Sequence, residues 1–204
     1  MTAWLMGRRV LAVGAGPALD AVALTFESLG ATVVRTRPLT GAEEIAASFA
    51  DAEIALGGAV DVLLHAGWAL PETAPETLTL ADWRDSFSAD IDGRFLHAAE
   101  FARRAMASGV RGAILFLMPA RDAGAGRSLA ATADGALDNL VKSLAVEWGR
   151  DGIRINAIAS RTVERFPDAP ANEQASLGAL AAYLVSDYAA YVTGTVAGIA
   201  ETVH

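Results

Sequence analysis

Short apolar runs alternate along the chain with longer segments whose apolar residues recur at helical spacing. Apolar runs bounded by turn residues are typical of buried parallel strands, and a period near 3.6 is typical of helices that cover a sheet. This alternation predicts an α/β domain with a parallel sheet, spanning 1–204 as one unit. The predicted strands lie at 9–14, 31–36, 60–67, 112–120 and 153–158.

The longest predicted helix begins after Ser128, where one face is continuously apolar. Gly149 and Gly152 follow and are expected to end it. The strand that comes next contains Ile153, Ile155, Ala157 and Ile158. The apolar stripe of the helix consists of Ala133, Leu137, Leu140, Val141, Leu144 and Trp148.

A shorter helix is predicted between Thr40 and Leu56. Thr40 is expected to be its N-cap, since Glu43 three residues later completes the pattern of a capping box. Ile45, Phe49 and Ile54 are expected to form its apolar stripe.

Composition and charge restrict the classes of function. Hydrophobic residues make up 53% of the 204 residues, which excludes a disordered chain, and no cysteine is present to form a disulfide or a thiolate site. The net charge of -8 disfavours binding to nucleic acid or to an anionic membrane. Arg8 and Arg9 interrupt the N-terminal apolar residues, so no signal peptide is expected. Asp187 and Gly194 break up the apolar C-terminal segment, so no transmembrane span is expected either. These observations favour a cytoplasmic protein.

A glycine turn joins the first strand to the first helix. Gly14 and Gly16 place backbone N–H groups and a positive helix end where a pyrophosphate could bind. Pro17 removes one of these donors, and Asp20 adds a negative charge near the same point. We therefore favour a tight strand–helix turn over a working phosphate site.

Two segments resemble the short-chain dehydrogenase/reductase family. The segment 134–160 is similar to the family pattern SLA-x-E…GIR-V-N-A-I-x-P, and 186–194 is similar to S-D-x-A-S-Y-V-T-G. The resemblance implies a Rossmann-like doubly wound parallel sheet in three αβα layers. The interval from Arg37 to Val60 is too short for the family's elements, so one helix and the edge strand are expected to be missing and six strands to remain. A short substrate lid is expected after Ser160, and Ala200-Glu201-Thr202 replaces the family's closing D-G-G.

The resemblance also implies where the family's catalytic Asn, Ser, Tyr and Lys would lie. Asp90, Pro119, Ala130 and Asp134 stand at those positions, so all four differ. The family's chemistry needs a phenol whose pKa is lowered by an ammonium, and a hydroxyl that stabilises an oxyanion. No tyrosine precedes Tyr183 that could take over the role.

The same resemblance marks a vestigial cofactor cleft at Gly14, Gly16, Arg37, His65 and Gly67. No cofactor is expected; Arg35 and Arg37 would favour NADP if any bound, although two solvated arginines at a strand end are the simpler interpretation. His65 is a candidate acid/base, but a hydrogen-bonded structural histidine is the favoured interpretation. No metal site is expected, because Asp90 and Asp92 have no obvious partner and His97 lies farther along the helix.

These residues leave three hypotheses open. The first is a non-catalytic member of the family, a structural or regulatory subunit that assembles with itself or with an active relative through the helices at 82–108 and 128–149. The second is an enzyme that uses the old cleft through His65, Asp90, Asp134 and either Ser128 or Thr132. The third is a weak NADP-binding oxidoreductase or sensor.

Overall fold

The sheet contains six parallel strands, all of them in the part of the chain that the structure describes. The structure is a computed structural model that describes residues 3–67, 70, 72–119 and 127–199, so the C-terminal segment Ala200-Glu201-Thr202 lies outside the described residues. The strand order is β2-β1-β3-β4-β5-β6, which confirms the six-stranded Rossmann-like sheet. The strands are β1 (Arg9–Val13), β2 (Thr32–Thr36), β3 (Val62–Ala66), β4 (Ala113–Pro119), β5 (Arg154–Ser160) and β6 (Val196–Gly198).

Helices cover both faces of the sheet and complete the three layers. One face packs against α1 and α7, and the other packs against α2, α4 and α5. Between α3 and α4 lies a π-helical turn at Ser88–Asp92. The helices are α1 (Pro17–Ser28), α2 (Ala42–Leu56), α3 (Leu80–Phe87), α4 (Gly93–Ser108), α5 (Ser128–Trp148), α6 (Arg161–Arg165) and α7 (Ala171–Val185).

The α5 helix follows its predicted stripe closely. Leu137 and Val141 are buried, and Leu140 and Trp148 pack against the same core at its margin. Gly152 adopts a left-handed conformation with φ of 77° after a last 3₁₀ turn, which ends the helix as predicted. β5 then enters the sheet with Ile155, Ala157 and Ile158 fully buried.

Two predictions about α2 are wrong. Gly41 is the N-cap and no side chain caps the helix, so the Thr40 capping box does not form. Ile54 is 81% exposed, because five residues after Phe49 a side chain has turned well away from the buried stripe. Ala52, three residues after Phe49, takes the buried place instead.

No helix in the described part of the chain is both long and apolar enough to cross a membrane.

Candidate functional site

The carboxyl ends of the central strands form one edge of the sheet, where α/β proteins usually bind ligands. Parallel pairing sets Val13 beside His65 and His65 beside Phe116. At the ends of the next pair of strands, Pro119 lies beside Ser160. The candidate residues at 14–16, 65–67 and 119 therefore share this edge.

The glycine turn between β1 and α1 has the close approach typical of a phosphate-binding turn. Gly14 has φ of 138° and Gly16 has φ of 111°, both in the region that favours glycine. A Cβ on Gly14 would lie 2.7 Å from the carbonyl oxygen of Ala66, so a side chain there would clash with the end of β3. The backbone of this turn therefore lies close against the end of β3, and a side chain on Gly14 would not fit there.

The residues around this turn disfavour the binding of an anion. Asp20 lies in the first turn of α1, and Pro17 occupies the first helical position, where it offers no N–H. Arg35 bonds to the Glu27 carboxylate at 2.9 Å and lies 3.8 Å from that of Asp20. The hydrogen bond to Glu27 raises the pKa of Arg35. Arg35 is therefore already paired with carboxylates and is not simply solvated, whereas Arg37 is exposed as predicted.

A buried ion pair lies at the carboxyl ends of β3 and β4. Arg94 is 1% exposed, and its Nε donates to Asp90 Oδ1 at 3.0 Å. Its two terminal nitrogens donate to the carbonyl oxygens of His65 at 3.3 Å and of Leu117 at 3.1 Å. Arg94 therefore ties the ends of two central strands to α4. Sequence reasoning missed Arg94, although its place four residues before the buried Ala98 puts it on the inner face of α4.

Gly67 allows this pair to approach the end of β3. A Cβ on Gly67 would lie 2.0 Å from Asp90 Oδ1 and 2.1 Å from Arg94 Nη2. The two side chains therefore fill the space where any larger residue at position 67 would place its side chain. Asp90 reaches this position from the π-helical turn, which confirms the polar helix kink predicted there.

His65 lies at the end of β3, next to the ion pair. Its ring packs edge-on against His97, with centroids 4.9 Å apart, and against Phe116 at 6.1 Å. Neither ring nitrogen of His65 makes a hydrogen bond of good geometry among the described residues, although the nearby Ala66 backbone partly opposes the lowering of its pKa, so the hydrogen-bonded histidine stays a prediction. His97, which sequence reasoning set aside as too distant, is its direct neighbour. One turn into α4, His97 Nδ1 donates to the Gly93 carbonyl oxygen at 2.7 Å.

Burial favours the neutral form of both histidines at pH 7. It lowers the pKa of His65 well below 6.5, and the neighbouring charge of Arg94 lowers it further. Burial also lowers the pKa of His97. His65 is 1% exposed, and an acid/base must reach the proton that it transfers, so its position is poor for catalysis.

The remaining candidates lie on α5, whose first turns pack near the π-helical turn. Ala130 is buried, and Asp134 is half-buried one turn later. Ser128 begins the helix, and the Thr132 hydroxyl donates back to the Ser128 carbonyl oxygen at 2.7 Å. The structure places neither hydroxyl in the cluster of Asp90, Arg94 and His65. In the described segments no three histidine or carboxylate side chains converge as a metal would require.

A five-residue helix, α6, follows β5 where the resemblance predicts only a short connection. Ser160 accepts a hydrogen bond from the Thr162 N–H at 3.1 Å and so caps the helix. Thr162 and Arg165 both donate to Glu173 of α7, at 3.2 Å and 2.8 Å. Val163 and Phe166 pack against the core beside α1. This segment is thus fixed to α7 and to the core.

The comparisons with known proteins give the family. A family model described as enoyl-(acyl carrier protein) reductase matches residues 5–170. The galactitol 2-dehydrogenase (L-tagatose-forming) of Cereibacter sphaeroides is 30% identical, over 89% of this chain and 79% of its own length. The chain belongs to the short-chain dehydrogenase/reductase family. Another relative is the cis-4-hydroxycyclohexanecarboxylate dehydrogenase of Sinomonas cyclohexanicum, 29% identical over 97% of this chain and 88% of its own length.

Solved structures of short-chain dehydrogenases/reductases share the fold. One from Mycobacterium marinum superposes with a TM-score of 0.84 and 21% identity, covering 98% of this chain and 97% of its own. A 7α-hydroxysteroid dehydrogenase complexed with NADH superposes with a TM-score of 0.81 and 19% identity, covering 97% of this chain and 95% of its own. At this level of identity the likeness concerns the fold alone.

Proposed function

We propose that this chain is a non-catalytic short-chain dehydrogenase/reductase, a structural or regulatory subunit that assembles with itself or with an active relative. One observation carries the proposal. The buried pair of Asp90 and Arg94 closes against Gly67 at the sheet edge where the family resemblance puts the reacting groups. A guanidinium that donates to a carboxylate and two carbonyls has few donors left for a substrate.

The residues around this pair support the same conclusion. Pro119 offers neither a hydroxyl nor an N–H where the family uses serine, and Ala130 offers no phenol where it uses tyrosine. Asp134 brings a carboxylate where the family's lysine would lower a phenol pKa, which reverses the electrostatic effect. At none of these three family positions does the chain offer the phenol that would protonate a developing alkoxide.

The family's dinucleotide would supply a hydride, and the glycine turn fits its pyrophosphate only in part. The backbone at Gly14 and Gly16 suits a close phosphate, but Pro17 and Asp20 oppose one. Arg35 is engaged by carboxylates, which leaves Arg37 as the basic group at the end of β2. The proposal therefore expects no tightly bound cofactor, and NADP before NAD if any binds.

The proposed assembly uses α4 and α5, which belong to the predicted interface helices at 82–108 and 128–149. Phe95 and Met106 on α4 are 42% and 43% exposed, and Val146 on α5 is 78% exposed. Apolar side chains at such exposure on neighbouring helices are what a helix–helix interface between subunits would cover.

The proposal is tested by the mass of the purified protein in solution, measured by light scattering after gel filtration. We expect a mass at least twice the 21.1 kDa of one chain, either as copies of itself or with a co-purifying active relative. Val146→Arg should dissociate the assembly. Ile54→Arg is the matched control, because Ile54 is equally exposed but lies on α2. A monomeric wild-type protein without a partner would contradict the proposal.

A second candidate function is an NAD(P)-dependent oxidoreductase with unusual catalytic residues. The retained backbone of the glycine turn favours it, as do relatives named as dehydrogenases. In this case His65, Asp90 and Asp134 are the residues to examine first. Reduction of a ketone by NADPH, or oxidation of a polyol by NADP⁺, abolished by Asp90→Asn in a variant that stays folded, would establish it over the non-catalytic role.

A further inference from the structure

A pocket of about 390 Å³ lies at the opposite edge of the sheet, where β4 and β5 begin. Arg8, Arg111 and Arg154 line it, together with Asp187 and Tyr191 from the segment after α7. Ser160 lies six positions after Arg154 along β5, which at a rise of about 3.3 Å per residue puts the pocket roughly 20 Å from the cofactor edge. It is therefore separate from the glycine turn and from the buried ion pair.

The three arginines differ in how their charges are balanced. Arg8 pairs with Asp187, but the Asp187 side chain is 92% exposed, and such pairs are weak in water. Arg154 donates to the carbonyl oxygens of Leu184 at 2.6 Å, Ser186 at 3.1 Å and Val192 at 3.4 Å, so the nearby Asp187 carboxylate balances its charge only in part. Arg111 is exposed, and within the described residues its side chain makes no hydrogen bond or ion pair.

Positive charge is thus concentrated at this pocket in an acidic protein. Three guanidinium groups face one carboxylate there, whereas the whole chain carries a net charge of -8. Burial lowers the pKa of Arg154, and repulsion from the neighbouring Arg8 and Arg111 lowers it further, while Asp187 partly offsets these effects. A multivalent anion between the guanidinium groups would relieve this repulsion.

We propose that this pocket binds a small phosphorylated molecule, with its phosphate bonded to Arg111 and facing the positive charge of Arg154. The guanidinium fork matches the oxygens of a phosphate, and hydrogen bonds between charged groups are the stronger kind. The volume lies within the range of small-molecule sites and exceeds what a single phosphate would fill. Tyr191, fully exposed at the rim, offers a ring for the rest of the molecule.

Calorimetric titration with inorganic pyrophosphate tests the proposal, with chloride adjusted to constant ionic strength. We expect saturable binding with a dissociation constant below about 1 mM. Arg111→Ala should weaken it at least tenfold and keep the wild-type circular dichroism spectrum, because Arg111 is exposed. Arg150→Ala is the matched control, since Arg150 is an exposed arginine in the adjoining turn that does not line the pocket; it should change the affinity less than twofold.

Three results would overturn the proposal. The first is the absence of saturable heat with pyrophosphate. The second is an equal loss of affinity in the Arg111 and Arg150 variants, which would mean general attraction of anions to the surface. The third is tighter binding of citrate than of pyrophosphate, which would assign the pocket to a carboxylate ligand. The Arg111 variant separates this pocket from the glycine turn, because only binding at the pocket should depend on Arg111.

Discussion

At the scale of single residues, Asp90 and Arg94 form the most unusual interaction in the described chain. Taking two charges out of water is costly, and their attraction offsets that cost only when the geometry is good and other hydrogen bonds are made. The carbonyl oxygens of His65 and Leu117 provide those bonds. The stability of the pair therefore depends on both of its members.

Removing one member of the pair should therefore lower the free energy of unfolding far more than removing both. Asp90→Ala leaves a buried guanidinium without its carboxylate, and we expect it to lower the free energy of unfolding by about 3–5 kcal/mol. Asp90→Ala combined with Arg94→Met should recover much of that loss. Urea unfolding followed by circular dichroism measures both.

The matched control for this experiment is an exposed pair with the same spacing. Asp138 and Lys142 are also four residues apart, on the surface of α5. Asp138→Ala should cost less than about 1 kcal/mol. An Asp90→Ala protein as stable as Asp138→Ala would show that the buried pair contributes little.

The two buried histidines should make stability depend on pH. Their pKa values are lowered in the folded protein, so the unfolded chain binds more protons below the ordinary pKa of 6.5. Stability is therefore complete above pH 6.5 and falls as the pH drops below it, by up to about 1.4 kcal/mol per pH unit for each histidine. We expect the double variant His65→Leu, His97→Phe to lose this slope between pH 6.5 and 5.5. Parallel wild-type and variant curves from urea unfolding would count against neutral buried histidines.

At the scale of helices and strands, the periodicity of apolar residues predicted which faces of the elements are buried. The α5 stripe and the strand after Gly152 were predicted because apolar spacing alone specifies a buried face. The prediction that Ile54 is buried was wrong, because a single apolar residue outside the periodic stripe does not specify a buried position. The pairing of Arg94 with Asp90 and the contact of His65 with His97 depend on how α4 crosses the sheet, and the spacing of residues along one helix does not encode that crossing.

Glycines in two helices give a prediction at this scale. Gly178 in α7 faces α1, and a Cβ there would lie 2.6 Å from Thr25 Oγ1, which is itself bonded to the Ala21 carbonyl oxygen. Gly178→Ala should destabilise the protein by about 1–2 kcal/mol, because overpacking outweighs the gain in helix propensity.

Gly135→Ala serves as the control, because nothing lies within 4 Å of a Cβ at that position in α5. It should stabilise the protein by about 0.5–1 kcal/mol through helix propensity. Thermal unfolding gives both values. Equal effects from the two substitutions would contradict the close packing of α1 against α7.

At the scale of the whole molecule, the sequence predicted the fold far better than the site. The six-stranded sheet followed from a family resemblance spread along most of the chain, and its strand order is confirmed. Comparison with the family pattern identified Pro119 and Ala130 as the residues that stand in place of its catalytic serine and tyrosine. That comparison could not reveal Arg94, because the family pattern accepts any residue at this position. The arginine pocket at the other edge joins residues from four separate segments, so no local pattern marks it.

Calorimetric titration of the purified protein with NADPH and NADH at millimolar concentration tests the central proposal most directly. Arg111→Ala protein should be titrated beside the wild type, because the phosphates of a dinucleotide could also bind the arginine pocket. The account predicts no saturable binding at the cofactor edge, so that any weak heat disappears in the Arg111 variant. A dissociation constant of tens of micromolar or tighter, unchanged in that variant, would contradict the non-catalytic role as proposed.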